Sequence, residues 1–208
     1  MNYKIEVFCD NDQNANTYLV YNDSSCIIID PANSPKTLKN YIENRKIEGI
    51  FLTHGHYDHF RVLSEVLELS DCNVYMHKNA GKKIQDLKSS YAIFFKTSTL
   101  PIIDEKRISF VDDGNLVCVG PFSIKCWYTP GHTNCMMSYI IDDNLFSGDF
   151  LFKDSIGRTD LDTGSVIRMM QSLKMLKTLK VNYNVYPGHG ESTTLNDELK
   201  YNHYLKNV

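Results

Sequence analysis

The sequence predicts a mixed α/β fold of the four-layer αββα type, in which two β-sheets are enclosed by layers of helices. Short apolar segments typical of strands alternate with amphipathic segments typical of helices, and this alternation favours layered sheets and helices. Apolar residues make up 42% of the 208 residues, which is enough for a substantial core. No repeat, low-complexity segment or linker interrupts the chain, so we expect a single domain over residues 1–208.

The N-terminal part of the chain is predicted to begin with three strands. They lie at residues 4–8, 17–21 and 26–30, where β-branched and aromatic residues are separated by Asn, Asp and Ser turns. Ser34 and Pro35 then supply a helix cap and a first helical residue, because a serine side chain accepts a backbone N–H and proline has no N–H to lose. The order strand, strand, strand, helix is therefore predicted for this part.

The middle of the chain continues this alternation. Segment 49–53 is a short apolar run that predicts a buried strand, and it leads directly into a histidine-rich loop. A helix that includes Val62 follows, and then a strand at 73–76. Residues 78–100 are predicted to be helical but irregular, up to a boundary at Pro101.

The C-terminal part is predicted to be rich in strands and to end in helices. The predicted strands are 108–112, 116–120, 122–129, 138–141, 144–147 and 183–186. A helix is expected to begin at Ser165, and its Met169 and Met170 are expected to pack in the core rather than contact a cofactor. A terminal helix is predicted over 195–205.

Charge and hydropathy exclude several classes of partner. The formal net charge is −3, and lysine and arginine are scattered along the chain. Nucleic acid is therefore not an expected partner, since phosphate binding requires a concentrated basic surface. The start of the chain has no apolar run typical of a signal peptide, and no segment approaches the ~20 apolar residues of a membrane span. We expect a cytoplasmic protein that acts on a small molecule; the sequence gives no prediction of its oligomeric state.

The six cysteines are expected to be thiols rather than disulfides. They form no C-x-x-C pair, and a reducing compartment keeps thiols reduced. Cys135 is notable because it lies three residues after His132. It is expected either to line the functional pocket or to be a buried structural thiol.

The loop after the predicted strand 49–53 carries the most informative motif. It reads His54-Gly55-His56-Tyr57-Asp58-His59, so three imidazoles and a carboxylate follow one another within six residues. If the backbone stays extended past the strand, His54 and His56 point to the same side, because side chains alternate along extended chain. Imidazole and carboxylate together are ligands that suit zinc, iron or manganese.

Three further residues occupy matching positions directly after predicted strands. His132 lies in Thr-Pro-Gly-His, Asp149 lies in Ser-Gly-Asp, and His189 lies in Pro-Gly-His-Gly. Functional groups in layered folds gather outside strand ends, where loops converge on a rigid scaffold. These residues and the motif use five of the seven histidines, which leaves His77 and His203 as structural or surface residues.

Taken together, these motifs resemble the binuclear metallo-β-lactamase fold. The resemblance extends from the I-I-D-P segment at Asp30 through the H-x-H-x-D-H motif to the P-G-H-G motif. It implies two sets of metal ligands and a bridging carboxylate: His54, His56 and His132 for the first ion, Asp58, His59 and His189 for the second, and Asp149 between them. Asp30 is expected to support a ligand rather than to bind metal itself.

The ligand set implies hydrolytic chemistry. It leaves room for a water shared by two cations about 3.5–4 Å apart. The two cations lower the pKa of this water toward about 7. Asp58 is expected to orient this nucleophile as well as to bind metal. Zinc is the expected metal of this pair, although iron and manganese accept the same ligands.

The segment that contains Gly157-Arg158-Thr159-Asp160 resembles the G-R-T-D stretch of glyoxalase II-like proteins, including their short forms. The resemblance implies a small thioester or ester substrate of the S-lactoylglutathione type. A thiolate leaving group needs little acid assistance, because thiol pKa values lie near about 8.5. Arg158 is then a candidate contact for the carboxylate of the substrate. The alternative is that Arg158 stabilises its own loop through Asp160 or Asp162.

Other activities of the same fold remain alternatives. Persulfide dioxygenases share the fold and the G-R-T-D segment but use a single iron; they tend to have P-A-H where this chain has Pro187-Gly188-His189, which favours hydrolysis. Lactones and phosphoesters are further possible substrates. True zinc β-lactamase activity is not expected, because the main class has Arg after the motif aspartate and Cys at the bridging position, where this chain has His59 and Asp149.

Overall fold

Two six-stranded β-sheets form the framework of the protein. The structure is a computed structural model, and it describes residues 3–10 and 15–208. Backbone contacts divide the chain into two compact units, Met1–Val111 with Cys118–Ser123 and Asp112–Val117 with Ile124–Val208. The expectation of a mixed α/β chain with two sheets is confirmed. The single domain over residues 1–208 stays a prediction.

The first sheet contains its strands in chain order. They are β1 (Lys4–Phe8), β2 (Thr17–Tyr21), β3 (Ser25–Ile29), β4 (Lys46–Phe51), β5 (Asn73–Met76) and β6 (Ile108–Phe110). The pairs β1–β2 and β2–β3 are antiparallel, whereas the pairs from β3 to β6 are parallel. Every residue of β2 and β3 is buried, as expected for central strands rich in Ile, Val and Tyr. Because β3 and β4 are parallel, the residues that follow them emerge at the same edge of the sheet.

In the part of the chain that the structure describes, three α-helices and three 3₁₀ helices connect these strands. The helices are α1 (Pro35–Ile42), α2 (Leu63–Leu67) and α3 (Lys78–Lys83), and the 3₁₀ helices are Tyr57–His59, Ala92–Phe95 and Glu105–Arg107. As predicted, Ser34 caps α1 by accepting from the N–H of Lys36, and Pro35 is its first residue. His77 caps α3, with its Nδ1 accepting from the N–H of Asn79.

The prediction of an irregular helix over residues 78–100 is only partly correct. The α-helical part ends at Lys83, and a 3₁₀ helix follows at Ala92–Phe95. The side chain of Asp86 accepts from the N–H and hydroxyl of Ser89, which gives this backbone an alternative to helical hydrogen bonds. Tyr91 then adopts a left-handed conformation with φ of 61°, and this prevents a continuous helix.

The second sheet is formed by β7 (Leu116–Val119), β8 (Phe122–Tyr128), β9 (Met137–Ile141), β10 (Asn144–Gly148), β13 (Asn184–Pro187) and β14 (Thr193–Thr194), and a separate ribbon pairs β11 (Leu151–Phe152) with β12 (Ser155–Ile156). The strands of the sheet lie in the order β14-β13-β10-β9-β8-β7. Strands β9 and β10 form an antiparallel hairpin, whereas β10 and β13 are parallel. The residues that follow β10 and β13 therefore emerge at one edge of this sheet.

Three helices complete the second unit: α4 (Val166–Leu176), α5 (Leu195–Tyr201) and α6 (His203–Lys206). Ser165 caps α4 as predicted, and Met169 is fully buried in a hydrophobic cluster with Leu173. The predicted terminal helix is divided at Asn202, whose side chain accepts from the N–H of Tyr204 and so begins a new helix. In residues 3–10 and 15–208 no helix is long and apolar enough to cross a bilayer.

Candidate metal centre

The loop after β4 brings three histidines together within the first unit. The imidazole rings of His54 and His56 lie 4.6 Å apart between centroids, and those of His54 and His59 lie 4.1 Å apart. All three side chains are buried, and so are their Nε2 atoms. The ligand atoms of His54 lie within 4.8 Å of those of His56 and His59. The motif therefore presents three buried imidazole nitrogens at one place.

Gly55 allows this loop to lie against helix α3. A Cβ atom at residue 55 would lie 2.7 Å from the Cβ of Lys83 and 3.2 Å from the backbone oxygen of Ala80. No larger residue fits between the two histidines without moving the helix. The glycine of the H-x-H motif thus has a packing role that its sequence position alone does not reveal.

Asp30 organises the same loop from the end of the parallel strand β3. One oxygen of its carboxylate accepts from the backbone N–H of Thr53 at 2.8 Å. The other accepts from the Thr53 hydroxyl at 2.7 Å and from Nδ1 of His59 at 2.8 Å. Asp30 is 2% exposed and has a φ of 50°, a left-handed conformation that aspartate tolerates better than most residues. It supports a candidate ligand, which is the role expected for it.

These hydrogen bonds determine which nitrogen each imidazole presents. A carboxylate only accepts, so Nδ1 of His59 carries the proton and donates to Asp30. The Thr53 hydroxyl gives its own proton to Asp30 and therefore accepts from Nδ1 of His54 at 3.1 Å. In both histidines Nε2 is then the nitrogen with a lone pair for a metal ion. Such support from a carboxylate is typical of metal-binding histidines.

Asp58 lies at the start of the 3₁₀ helix Tyr57–His59 and is half-buried. Its Oδ2 atom is 3.8 Å from Nε2 of His59. This carboxylate is therefore close enough to the presented nitrogen to share a metal ion with it, while part of its surface stays accessible.

The second unit contains a smaller group of the same kind around Asp149. Its Oδ2 atom lies 3.4 Å from Nε2 of His132 and 3.8 Å from Nε2 of His189. Nδ1 of His132 donates to the backbone oxygen of Arg158 at 2.8 Å, because a carbonyl oxygen only accepts. His132 thus also presents Nε2. The side chain of His189 is 32% exposed, which makes it the most accessible histidine of this group.

Gly157 permits the close packing of this second group. A Cβ atom at residue 157 would overlap the backbone oxygen of Asp149 and lie 3.2 Å from the Cβ of His132. The ribbon of β11 and β12 places this glycine against Asp149. The backbone of the G-R-T-D segment therefore positions two candidate ligands, through the space at Gly157 and the carbonyl of Arg158.

The side chain of Arg158 forms an exposed ion pair with Asp160. Its Nε and Nη2 atoms each donate to one carboxylate oxygen at 2.7 Å. This guanidinium holds the pKa of Asp160 at about 2, below its usual value. Of the two roles considered for Arg158, the contact with Asp160 is thus formed in the structure. The contribution of its backbone carbonyl was not foreseen, since a carbonyl has no sequence signature.

The remaining candidate residues are structural or on the surface. Cys135 is fully buried, and its sulfur lies 2.8 Å from the hydroxyl of Thr133. His77 caps α3, and His203 is exposed and hydrogen-bonded to Asn207. Cys135 and His77 therefore occupy structural positions, and His203 lies on the surface.

Comparison with known proteins identifies the family. A sequence model of the metallo-beta-lactamase superfamily matches residues 10–189. The chain belongs to this superfamily. A probable metallo-hydrolase of Bacillus subtilis, YqgX, is 31% identical over 196 residues, which is 92% of each chain.

Solved structures show the same fold. The B3 metallo-beta-lactamase BLEG-1 has a TM-score of 0.87 and 27% identity, covering 97% of this chain and 99% of its own. TTHA1623, solved in a di-iron-bound form, has a TM-score of 0.82 and 26% identity, covering 96% and 99%. The predicted metallo-β-lactamase fold is therefore confirmed. The superfamily uses divalent metals, and the histidine and aspartate groups of this chain could bind them.

Proposed function

We propose that the protein is a metal-dependent hydrolase that binds two divalent ions with the two groups of residues described above. The proposed ligands are His54, His56 and His132 for one ion, Asp58, His59 and His189 for the other, and Asp149 as a bridge. The orientation of the imidazoles carries this proposal, because hydrogen bonds at Nδ1 leave Nε2 of His54, His59 and His132 to accept a metal.

Zinc is the proposed native metal. Imidazole and carboxylate ligands suit zinc, but they also suit iron and manganese. The di-iron form of TTHA1623 makes iron the specific alternative. The sequence-based expectation of zinc therefore stays a prediction.

The proposed reaction is the hydrolysis of a small thioester or ester of the S-lactoylglutathione type. Divalent ions would supply an activated water and polarise the carbonyl of the substrate. Asp58 is half-buried and adjacent to His59, so its carboxylate can orient the attacking water as well as bind metal. A thiolate leaves readily because thiols have pKa values near about 8.5.

Arg158 is the proposed contact for a carboxylate of the substrate. Its ion pair with Asp160 is largely exposed, and exposed ion pairs are weak because water and salt screen them. A substrate carboxylate can therefore take the place of Asp160 on the planar guanidinium. Arg158→Ala is expected to raise KM for carboxylate-bearing thioesters more than for neutral ones. Equal increases of KM for the carboxylate-bearing and the neutral thioesters would show that Arg158 only stabilises its own loop.

The function is tested by assaying hydrolysis of S-D-lactoylglutathione with wild-type protein and two histidine variants. His56→Ala should abolish metal-dependent turnover and leave the chain folded by circular dichroism. His203→Ala is the matched control, because His203 is exposed and outside the proposed centre. Full activity in His56→Ala would refute the ligand assignment. Turnover of lactones or phosphoesters instead of the thioester would keep the centre and change the substrate class.

Hydrolysis of a β-lactam is a second candidate function. The similarity to BLEG-1 favours it. The sequence prediction was against it, because this chain has His59 and Asp149 where the main class of zinc β-lactamases has Arg and Cys. Turnover of a chromogenic cephalosporin would support this candidate.

A mononuclear iron dioxygenase is the third hypothesis. It would be supported by one iron per chain together with consumption of oxygen in the presence of a persulfide. The cytoplasmic location and the absence of a nucleic-acid partner stay predictions.

A further inference from the structure

The first unit contains an open groove whose lining residues are not among the proposed metal ligands. It has a volume of about 650 Å³ and is lined by Arg61, Phe94, Phe95 and Lys96. Two of these residues are aromatic, two are cationic, and none is acidic. Phe94 is 73% exposed, which is unusual for phenylalanine in a folded protein. The lining thus combines flat apolar surface with positive charge.

The groove is connected to the candidate metal ligands through aromatic contacts. The ring of Tyr91 lies 5.0 Å from that of His56, edge to face, and 6.0 Å from that of Phe94 in a stacked arrangement. The ring of Phe95 lies 5.5 Å from that of Tyr57, the residue before Asp58. Phe95 therefore contacts the H-x-H-x-D-H loop directly, and Phe94 is connected to it through Tyr91.

The backbone holds these aromatic residues in place. The 3₁₀ helix Ala92–Phe95 is preceded by Tyr91 with φ of 61° and followed by Lys96 with φ of 56°. Left-handed conformations are costly for residues with a Cβ, and such strain concentrates at ligand-binding sites. Ala92 is fully buried and anchors the turn. These flanking residues place the ring of Phe94 where it faces solvent.

The cations of the groove complement its aromatic rings. The guanidinium of Arg61 lies 5.3 Å from the ring centroid of Phe95, within the range of a cation–π contact. This contact fixes a planar positive group beside an aromatic face. Lys96 adds a second positive charge at the end of the same turn. A bound molecule that is flat and apolar in one part and negatively charged in another would satisfy both features.

We propose that this groove binds the part of the substrate away from the bond that is hydrolysed, and that the substrate carries an aromatic or similarly flat group together with an anionic group. The inference rests on the proposed hydrolase function and deepens it, since it names the substrate class. Phe94 stacks on the flat group, and Arg61 and Lys96 attract the anion. These residues determine specificity and do not take part in bond cleavage.

Equilibrium binding tests this proposal without requiring turnover. Titration calorimetry with 4-ethylbenzoate as the probe is expected to show binding to the wild-type protein. Phe94→Ala and Lys96→Ala should each raise Kd about five- to tenfold, because the loss of one aromatic or charged contact of this kind weakens binding by up to about tenfold. The matched controls are Ile167→Ala, with the same 73% exposure as Phe94, and Lys106→Ala, another exposed lysine. Both controls should change Kd less than about twofold.

Kinetics with a matched pair of substrates gives the second readout. The pair is the acetyl thioesters of 4-(mercaptomethyl)benzoate and of ethanethiol. Phe94→Ala should raise KM for the first substrate and leave KM for the second unchanged. Both kcat values should stay unchanged, because losing a contact that is equally strong in the ground state and the transition state affects KM alone.

The outcomes separate the two proposals. Wild-type protein that binds the probe but hydrolyses no thioester refutes the proposed thioester hydrolysis and leaves the groove supported. The groove proposal is overturned if the wild type does not bind the probe, or if Phe94→Ala and Ile167→Ala change its Kd equally. A change in sedimentation of Phe94→Ala at unchanged Kd also overturns it, because the patch would then be an interface between copies of the chain.

Discussion

The carboxylate of Asp30 shows how one residue orients two others. It accepts from Nδ1 of His59 directly, and it fixes His54 through the hydroxyl of Thr53. Because all of these groups are buried, the hydrogen bonds are strong and an unpaired member would be costly. The position of Nε2 in two candidate ligands therefore depends on a side chain that binds no metal in the proposed centre.

Asp30→Asn is expected to weaken metal binding about 10- to 100-fold, which is typical for the loss of a carboxylate that supports a metal-binding histidine. Asparagine tolerates the left-handed backbone of residue 30, so the loop should keep its course. Affinity is measured by competition with a chromogenic chelator. Asp160→Asn serves as the control, because Asp160 is exposed and forms an ion pair with Arg158. Unchanged affinity in Asp30→Asn would show that the hydrogen bonds do not orient the ligands.

At the scale of elements, parallel strands account for the placement of the candidate ligands. Strands β3 and β4 are parallel and are followed by Asp30 and by the histidine motif. Strands β10 and β13 are parallel and are followed by Asp149 and His189. Parallel strands end at the same edge of a sheet, so residues far apart in sequence become neighbours there. The short loops then decide the exact geometry.

Gly157→Ala tests the role of one such loop. The new methyl group would overlap the backbone oxygen of Asp149, so Asp149 and His132 must move and metal content should fall well below that of the wild type. Gly114→Ala is the matched control. Its φ is 74° and its surroundings are open, so it should lose about 1 kcal/mol of stability and keep its metal.

Metal per chain by elemental analysis and the unfolding free energy by urea titration distinguish these variants. Full metal content in Gly157→Ala would contradict the positioning role of this loop. A loss of metal in Gly114→Ala as well would indicate a general effect of destabilisation.

The regular elements could be predicted from sequence because their signals are local. Strands 4–8, 17–21 and 73–76 and the caps of α1 and α4 coincide with the structure. The segment 78–100 could not, since the left-handed conformation of Tyr91 arises from packing and no glycine marks it. The two-residue strands β11, β12 and β14 are too short to show an alternation.

The candidate ligands were predictable from sequence because imidazoles and carboxylates after strand ends form a recognisable set. Their supporting partners were not. The carbonyl of Arg158 and the hydroxyl of Thr53 reach His132 and His54 only through the folded loops. The groove around Phe94 was not predicted for the same reason, because Arg61 meets Phe94, Phe95 and Lys96 only in the folded chain.

At the scale of the whole molecule, the superfamily and the fold are established, whereas the metal centre and its reaction are proposed. The family match covers residues 10–189, and the similarity to YqgX extends over 92% of both chains. All seven proposed ligands lie within the matched region. The proposed function therefore depends most on one claim, which is that these residues bind a pair of metal ions.

Elemental analysis of the purified protein, with protein concentration from amino-acid analysis, tests this claim most directly. We expect about two divalent ions per chain, because two ligand sets share one carboxylate. Asp149→Ala, which removes the shared carboxylate, should lower this ratio. A wild-type ratio near zero after reconstitution with zinc, iron or manganese, or a ratio near one with every metal, would contradict the dinuclear centre.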